Sequence, residues 1–196
     1  MNLIFVSSNE KKISTFLELT NNKLISLGFT LEVRTIPELP EIQGNCQEVI
    51  IDKTIQAYNY LKAPCIVDDE SFLCDGLNGF PGPYLKDFEA TLLAKGIYDV
   101  VSNSKSLICY PQVSYGLTFN GKEVFVFQGK IKASIISPRE GYENIKNYFE
   151  VLQSEEFKDR LSVLDESNKG KFIMRKEALE KLLIFLSDIS NNNINK

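Results

Sequence analysis

Two polar clusters in this sequence carry the residue types that bind phosphate and metal ions. Ser7-Ser8-Asn9 follows the apolar run Leu3 to Val6, and two lysines, the second being Lys12, come soon after it. Asp68-Asp69-Glu70 follows another apolar run, Cys65 to Val67. Small polar side chains, backbone N–H groups and lysines at a helix start favour phosphate binding. Carboxylates that face a phosphate site favour a hard cation, and Mg²⁺ is the first candidate.

Each cluster also has a purely structural interpretation. Ser and Asn are common helix N-caps, and a lysine near a cap needs no ligand. An acidic triplet after a strand is also typical of a solvated cap on the next helix. Spacing alone therefore predicts an α/β protein with a candidate phosphate and metal site, and it does not decide between binding and structure.

The elements that must position these clusters alternate along the first half of the chain. The hydrophobic pattern predicts strands at 3–6, 29–35 and 65–67, with helices from about Glu10 and over 47–61. A rigid turn at 78–83 is followed by a helix from Tyr84 to about Leu93.

The second half changes character. Two strand-like segments, 106–119 and 123–136, are joined by Asn120-Gly121, a strong hairpin signal. Helical patterns follow at 142–152 and 175–186. The order is a βαβαβ unit, a long hairpin and final helices, which predicts an α/β fold with a mixed sheet.

The composition argues against several classes of function. The chain has 196 residues, no His, four Cys that form no Cys-x-x-Cys pair, and a net charge of −4. The lack of His argues against soft-metal sites and against Ser-His or Cys-His catalysis. We expect free thiols, no membrane span, no signal peptide and a cytoplasmic location. The acidic balance argues against a nucleic-acid polymer as partner.

Further motifs stand between and beyond the two clusters. In chain order, the pieces are Val6-Ser7-Ser8-Asn9-Glu10-Lys11-Lys12, Leu39-Pro40-Glu41-Ile42-Gln43-Gly44, Lys53, Val67-Asp68-Asp69 and Gly79-Phe80-Pro81-Gly82-Pro83-Tyr84-Leu85-Lys86. Their order and spacing resemble those of the inosine triphosphate pyrophosphatases, which remove deaminated purine nucleotides. The resemblance implies an elongated mixed β-sheet flanked by helices, with two α/β lobes and a cleft between them. It implies one domain over 1–189, a flexible tail at 190–196, and a homodimer.

The resemblance also implies an activity and a set of site residues. The reaction would convert non-canonical nucleoside triphosphates (ITP, XTP or dITP) to the monophosphate and pyrophosphate, with Mg²⁺, or Mn²⁺ in its place, as cofactor. Asp69 is implied as the catalytic carboxylate and, with Glu41 and Asp68, as a metal ligand; its role as ligand or general base stays open. The implied phosphate-binding residues are Ser8, Asn9, Lys12, Lys53, Lys86 and Lys169.

The C-terminal third departs from the family pattern. The family's Gly-Phe-Gly-Tyr/Trp-Asp-Pro motif is replaced by Gly141 to Phe149, which keeps aromatic residues but lacks Asp-Pro. The family's Ser-His-Arg is replaced by Ile173-Met174-Arg175. We therefore predict base contacts from Arg175, Tyr148 and Phe149, with altered base preference. The alternatives are core packing for the two aromatic residues and, for the whole chain, a degenerate member that binds nucleotide or a protein partner with little or no turnover.

Overall fold

The computed structural model describes residues 1–166 and 173–194. The first half contains β1 (Asn2–Val6), α1 (Glu10–Ser26), β2 (Thr30–Arg34), α2 (Cys46–Leu61), β3 (Cys65–Cys74), β4 (Pro81–Gly82) and α3 (Leu85–Ser102). The second half contains β5 (Ile108–Thr118), β6 (Phe125–Lys130), β7 (Ala133–Ile135), β8 (Leu152–Ser154), α4 (Leu161–Glu166) and α5 (Ile173–Ile194). The predicted βαβαβ start and the mixed α/β sheet flanked by helices are confirmed.

The chain forms two compact units. The first comprises Met1–Asp69, Val113–Gly129 and the described part of the chain from Arg175 onward. The second comprises Glu70–Gln112 and the described part of Lys130–Met174. All eight described strands belong to one sheet, and β3 and β5 each contribute residues to both units.

In the first unit, β1 is the central strand of a parallel arrangement, with β2 on one side and β3 on the other. Successive side chains of a strand point to opposite faces of the sheet, and here both faces are covered. One face packs against α2, and its buried apolar residues are Ile4, Val6, Cys65 and Val67 of the strands with Ile50 and Ala57 of the helix.

Helices α1 and α5 contribute to the opposite face. The ring of Phe5 stacks on Phe16 of α1, with centroids 4.0 Å apart, and Tyr115 of β5 packs at 5.7 Å from Phe16. Farther along α5, Phe185 packs against Phe125 and Phe127 of β6. The two faces therefore use alternate residues of the same strands.

Helix α2 lies unusually close to β5 at Gly116. A Cβ atom at this position would lie 2.0 Å from Thr54 Oγ1 and 3.3 Å from Ile50 Cγ1. Only glycine therefore permits this approach of helix to strand.

Polar side chains fix the starts of α1 and α2. Asn9 Oδ1 accepts a hydrogen bond from the Lys12 backbone N–H at 3.3 Å, as the predicted N-cap requires. Asn45 and Glu48 form a reciprocal capping box at the start of α2. These caps set where each helix begins, and so where the side chains of its first turns point.

In the second unit, β3 pairs with β4, β5 with β7, and β7 with β8, all antiparallel. Helix α3 is interrupted at Leu93, whose φ of 54° and ψ of −179° are not helical. Beyond the break, the backbone N–H groups of Ala94 and Lys95 donate to the carbonyls of Ile145 and Glu143. The sequence predicted a helix end near Leu93, and the structure starts a second helical segment there.

The predicted helix from Tyr142 to Leu152 is wrong. The segment forms turns up to Asn147, then a 3-10 turn at Tyr148–Val151, and then β8. Gly141 adopts a left-handed φ of 82°. The carbonyls of Glu143 and Ile145 bind α3 rather than N–H groups of their own segment. Apolar spacing alone could not reveal that competing set of partners.

A buried carboxylate holds this non-helical segment. Glu150 is fully buried, and its carboxylate accepts hydrogen bonds from the backbone N–H, Nε and Nη2 of Arg139 at 3.0, 2.9 and 2.7 Å. Ser162 Oγ donates to it at 2.7 Å, and Arg160 Nη1 lies 3.4 Å away. Burial acts to raise the pKa of Glu150, but these hydrogen bonds and charges lower it to about 2.

The remaining elements follow the sequence pattern in part. Strand β3 does not stop at Val67 but runs through Asp68-Asp69-Glu70 to Cys74, so these carboxylates do not cap a helix. The Asn120-Gly121 connection between β5 and β6 is confirmed, with Gly121 at a φ of 72°. The strand predicted at 123–136 is divided into β6 and β7.

The last described helix extends into the segment predicted to be a flexible tail. Helix α5 continues past Ser190 to Ile194, and Ser190 Oγ donates to the Leu27 carbonyl at 2.9 Å. The flexibility of the tail stays a prediction, and residues 195–196 lie outside the described residues. None of the helices in 1–166 and 173–194 combines the length and apolar character needed to cross a bilayer.

The break at Leu93 predicts an unusually small cost for a glycine substitution. Its backbone conformation is one that glycine adopts freely and that costs other residues about 1–3 kcal/mol. Leu93→Gly relieves this cost, but it removes a half-buried leucine side chain and adds the entropy cost of glycine in the unfolded chain. Leu92→Gly removes the same kind of half-buried side chain from a helical position of α3 without that relief. In a urea titration, Leu93→Gly should therefore lower the free energy of unfolding by about 1 kcal/mol less than Leu92→Gly, and equal losses would contradict strain at Leu93.

The buried Glu150 predicts a specific pH dependence. Its pKa is lower in the folded than in the unfolded protein, so its contribution is complete above about pH 4.5 and is lost as the pH falls towards about 2. A shift of this size corresponds to a contribution on the order of 3 kcal/mol. Unfolding free energies measured from pH 6 to pH 3 should therefore fall less steeply for Glu150→Gln. The exposed Glu156→Gln should keep the wild-type slope, and equal slopes for all three proteins would contradict the prediction.

Candidate active site

The two polar clusters meet at the carboxyl ends of neighbouring parallel strands. Val6, the last residue of β1, pairs with Val67 of β3. Ser7-Ser8-Asn9 therefore leaves β1 beside the point where Asp68 and Asp69 follow in β3. Carboxyl ends of parallel strands are the usual ligand-binding edge of an α/β sheet.

Asp68 and Asp69 are consecutive in a strand, so their side chains point to opposite faces. Asp68 has the parity of Ile66 and contacts α1 and α5, whereas Asp69 has the parity of Val67 and contacts α2. The acidic run is thus divided between two groups of partners, although its residues are adjacent in sequence.

The first group centres on one oxygen of Asp68. Lys12 Nζ lies 3.0 Å and Arg175 Nη1 lies 3.1 Å from Asp68 Oδ2. Arg175 Nη1 also donates to the hydroxyl of Tyr115 at 3.2 Å. Burial acts to raise the pKa of Asp68, but the charges and hydrogen bonds of Lys12 and Arg175 hold it below its ordinary value.

The second group is a lysine between two carboxylates. Lys53 Nζ lies 2.9 Å from Asp69 Oδ1 and 3.2 Å from Glu41 Oε1. Burial raises the pKa of Asp69, against the opposing charges of Lys53 and Lys12, and the Glu41 carboxylate adds to the rise. Burial acts to lower the pKa of Lys53, but Asp69 and Glu41 together raise it.

This second group fits the donor requirements of a hard cation. Two carboxylates already converge on one positive group, the Lys53 ammonium, which marks a point where a cation is stabilised. Mg²⁺ is commonly held by one or two carboxylates together with substrate phosphates. No cluster of three or more His, Cys, Asp or Glu side chains suited to a metal occurs in the described part of the chain. The pair Glu41 and Asp69 therefore fits such an ion better than a three-carboxylate set that includes Asp68.

The predicted phosphate-binding residues of the first unit lie near these groups. Ser8 and Asn9 occupy the exposed turn between β1 and α1, and the side chain of Asn9 caps α1. Lys12 lies in the first turn of that helix and Lys53 in α2, each bonded to a carboxylate of β3. Four of the predicted phosphate residues are thus placed around one edge of the sheet.

Three of the predicted residues lie in the described part of the second unit. Tyr148 is only 5% exposed; its hydroxyl donates to Glu70 Oε1 at 3.0 Å and its backbone N–H donates to Glu89 Oε1 at 2.9 Å. Phe149 is half-buried, with its ring centroid 4.6 Å from that of Tyr148. Lys86 lies in the first turn of α3 and is exposed. Lys169 lies outside the described residues.

Tyr115 is a member of the Asp68 group that sequence reasoning missed. It lies in a long strand pattern of alternating apolar residues, where a tyrosine is typical of core packing. Its contact with Arg175 joins residues 60 positions apart in the chain. No local pattern signals such a pair, and only the alternation of β5 indicates which face Tyr115 occupies.

Comparison with known proteins gives consistent results. A family model described as the Ham1 family matches residues 3–185. The inosine triphosphate pyrophosphatase of Yarrowia lipolytica is 30% identical over 190 residues, which cover 96% of this chain and 97% of that protein. The Schizosaccharomyces pombe protein of the same name is 30% identical over 139 residues, or 70% of each chain.

Solved structures share the fold at lower sequence identity. A HAM1 protein from Coxiella burnetii superposes with a TM-score of 0.77 and 16% identity, covering 96% of this chain and 99% of that chain. The Ham1 protein of Staphylococcus aureus gives a TM-score of 0.74 and 20% identity, with the same coverage. The matched residues include Asp68 and Asp69 of β3 and helices α1 and α2, which carry Lys12 and Lys53, and the chain belongs to the Ham1 family.

Proposed function

We propose that this chain hydrolyses non-canonical purine nucleoside triphosphates to the nucleoside monophosphate and pyrophosphate. The observation that carries the proposal is the arrangement at the edge of β1 and β3. There Lys12 contacts Asp68, and Lys53 lies between Glu41 and Asp69. The names of the curated relatives, inosine triphosphate pyrophosphatases, support the same reaction.

The lysines suit the charge of the substrate. A nucleoside triphosphate carries about four negative charges, which cations must neutralise at the reacting phosphorus. Lys12 of α1 and Lys53 of α2 pair with the consecutive residues Asp68 and Asp69 of β3, respectively. With the backbone N–H groups at the start of α1, they form a phosphate-binding edge that includes Ser8 and Asn9.

The carboxylates have separate roles in this proposal. Glu41 and Asp69 would hold the divalent cation, Mg²⁺ or Mn²⁺, and Asp69 is also the catalytic carboxylate. Such a cation, when bound, neutralises phosphate charge and lowers the pKa of a coordinated water. Asp68 instead holds Lys12 in place, because its oxygen is engaged by Lys12 and Arg175.

Several finer assignments stay predictions. These are the phosphate contacts of Lys86 and Lys169, base contacts of Tyr148 and Phe149, the homodimer and the cytoplasmic location. Of the two aromatic residues, Phe149 is the more exposed, whereas the hydroxyl and backbone of Tyr148 are both bound to carboxylates. We therefore favour Phe149 for stacking on a base and Tyr148 for holding the ring of Phe149 in position.

Replacement of the catalytic carboxylate tests the proposed reaction. We expect Asp69→Asn to lower kcat/KM for ITP by about 10²–10⁴-fold, because the charge that serves the cation and the attacking water is lost. The measurement is pyrophosphate release from ITP, XTP, dITP, GTP, ATP and dUTP at micromolar enzyme. Glu18→Gln, an exposed change on α1, serves as the matched control and should behave like wild type. Absence of release from every substrate by the wild-type protein would contradict hydrolysis and favour a binding protein.

Metal removal tests the role of Glu41 separately. Excess chelator should abolish pyrophosphate release, and Mg²⁺ should restore it. Glu41→Gln should raise the Mg²⁺ concentration needed for half-maximal activity by about tenfold, because one of two carboxylate ligands becomes neutral. Activity that survives chelation, or an unchanged Mg²⁺ requirement in the variant, would count against Glu41 and Asp69 as the cation site.

A further inference from the structure

Arg175 lies on the buried face of its helix. The buried residues of α5 include Ala178, Leu179, Leu182 and Leu186, which share one helical face with Arg175. Arg175 itself is 8% exposed. Its guanidinium is therefore directed towards the sheet by the same periodicity that packs the helix.

Two polar groups of the sheet meet the guanidinium there. Nη1 lies 3.1 Å from Asp68 Oδ2 and 3.2 Å from the hydroxyl oxygen of Tyr115. Asp68 is 5% exposed and Tyr115 is fully buried. A charge-assisted hydrogen bond in such surroundings is strong, and moving either partner away leaves a buried charge less well paired.

Tyr115 is rigidly placed for this contact. Its ring packs against Phe16 at 5.7 Å and against Phe5 at 6.5 Å between centroids. A phenylalanine could fill the same space, so packing does not require the hydroxyl. The hydroxyl instead provides an acceptor for Arg175 Nη1, a contact that the packing of the ring does not need.

Asp68 connects this pair to the phosphate-binding edge. The oxygen that accepts from Arg175 is also the one that pairs with Lys12 Nζ at 3.0 Å. Lys12 remains partly accessible, with 23% of its side chain exposed. A shift of Arg175 would therefore move the carboxylate that orients Lys12.

We propose that Arg175, held by the Tyr115 hydroxyl, positions Lys12 through Asp68 and so serves the triphosphate end of the site rather than reading the base. The inference rests on the proposed hydrolysis of nucleoside triphosphates and deepens it. It replaces the sequence-based assignment of Arg175 as a base-contact residue. Tyr115 and Arg175 act through Asp68 and are positioning residues.

A base-free ligand separates the two roles of Arg175. Binding of inorganic tripolyphosphate is measured by calorimetry in the otherwise wild-type chain with excess chelator, which prevents turnover of the probe. Adding Arg175→Ala should weaken this binding about tenfold, and adding the conservative Tyr115→Phe should weaken it about threefold. Tyr110→Phe, another tyrosine of β5, whose ring lies under Lys130, is the matched control and should change nothing.

Kinetics with two bases give the second measurement. In an otherwise wild-type chain, Arg175→Ala and Tyr115→Phe should lower kcat/KM for ITP and ATP by the same factor, so the ratio of the two stays within about twofold. A tenfold change of that ratio with unchanged tripolyphosphate binding would overturn the inference and assign Arg175 to the base. If the wild-type chain hydrolyses no nucleotide, the proposed function fails, and the calorimetry with Tyr115→Phe still decides whether this pair orients the phosphate site.

Discussion

The alternation of side chains along β3 is the constraint on which the rest of the site depends. Two adjacent aspartates in a regular strand cannot serve the same face of the sheet. In this protein, that geometry gives Asp68 to α1 and α5 and gives Asp69 to α2. Asp68 pairs with both Lys12 and Arg175, and Asp69 shares Lys53 with Glu41. The division between the two roles that we propose, anchoring a phosphate-binding lysine and holding a cation, follows from the pleat of one strand.

Much of the first unit could be predicted from the sequence because its signals are local. The apolar runs of β1 and β3, the Asn9 cap and the Asn120-Gly121 turn each depend on neighbours within a few residues. The resemblance of short motifs then indicated which polar residues belong together. The structure places Glu41, Lys53 and Asp69 in one group, in agreement with that expectation of proximity.

What could not be predicted depends on partners that are distant in sequence. The segment around Tyr142 has helical spacing, but its carbonyls bind the broken helix α3 and its Glu150 is held by Arg139. Likewise, the register of α5 against β5 brings Arg175 to Tyr115, and no pattern in either element announces the other. For this reason, the sequence could assign a base-contact role to Arg175 only from its position in a motif. Only its contacts with Asp68 and Tyr115 suggest a different role.

The close approach at Gly116 links a residue without a side chain to the geometry of the proposed cation site. Helix α2 rests on β5 where a single methyl group would collide with Thr54, the residue that follows Lys53. Any side chain at 116 must push the helix outward, and Lys53 would move with it relative to Asp69 on the sheet. The distance between the Lys53 ammonium and the Asp69 carboxylate therefore depends on the absence of a side chain at position 116. A substitution at position 116 would thus alter the proposed cation site through the placement of a helix.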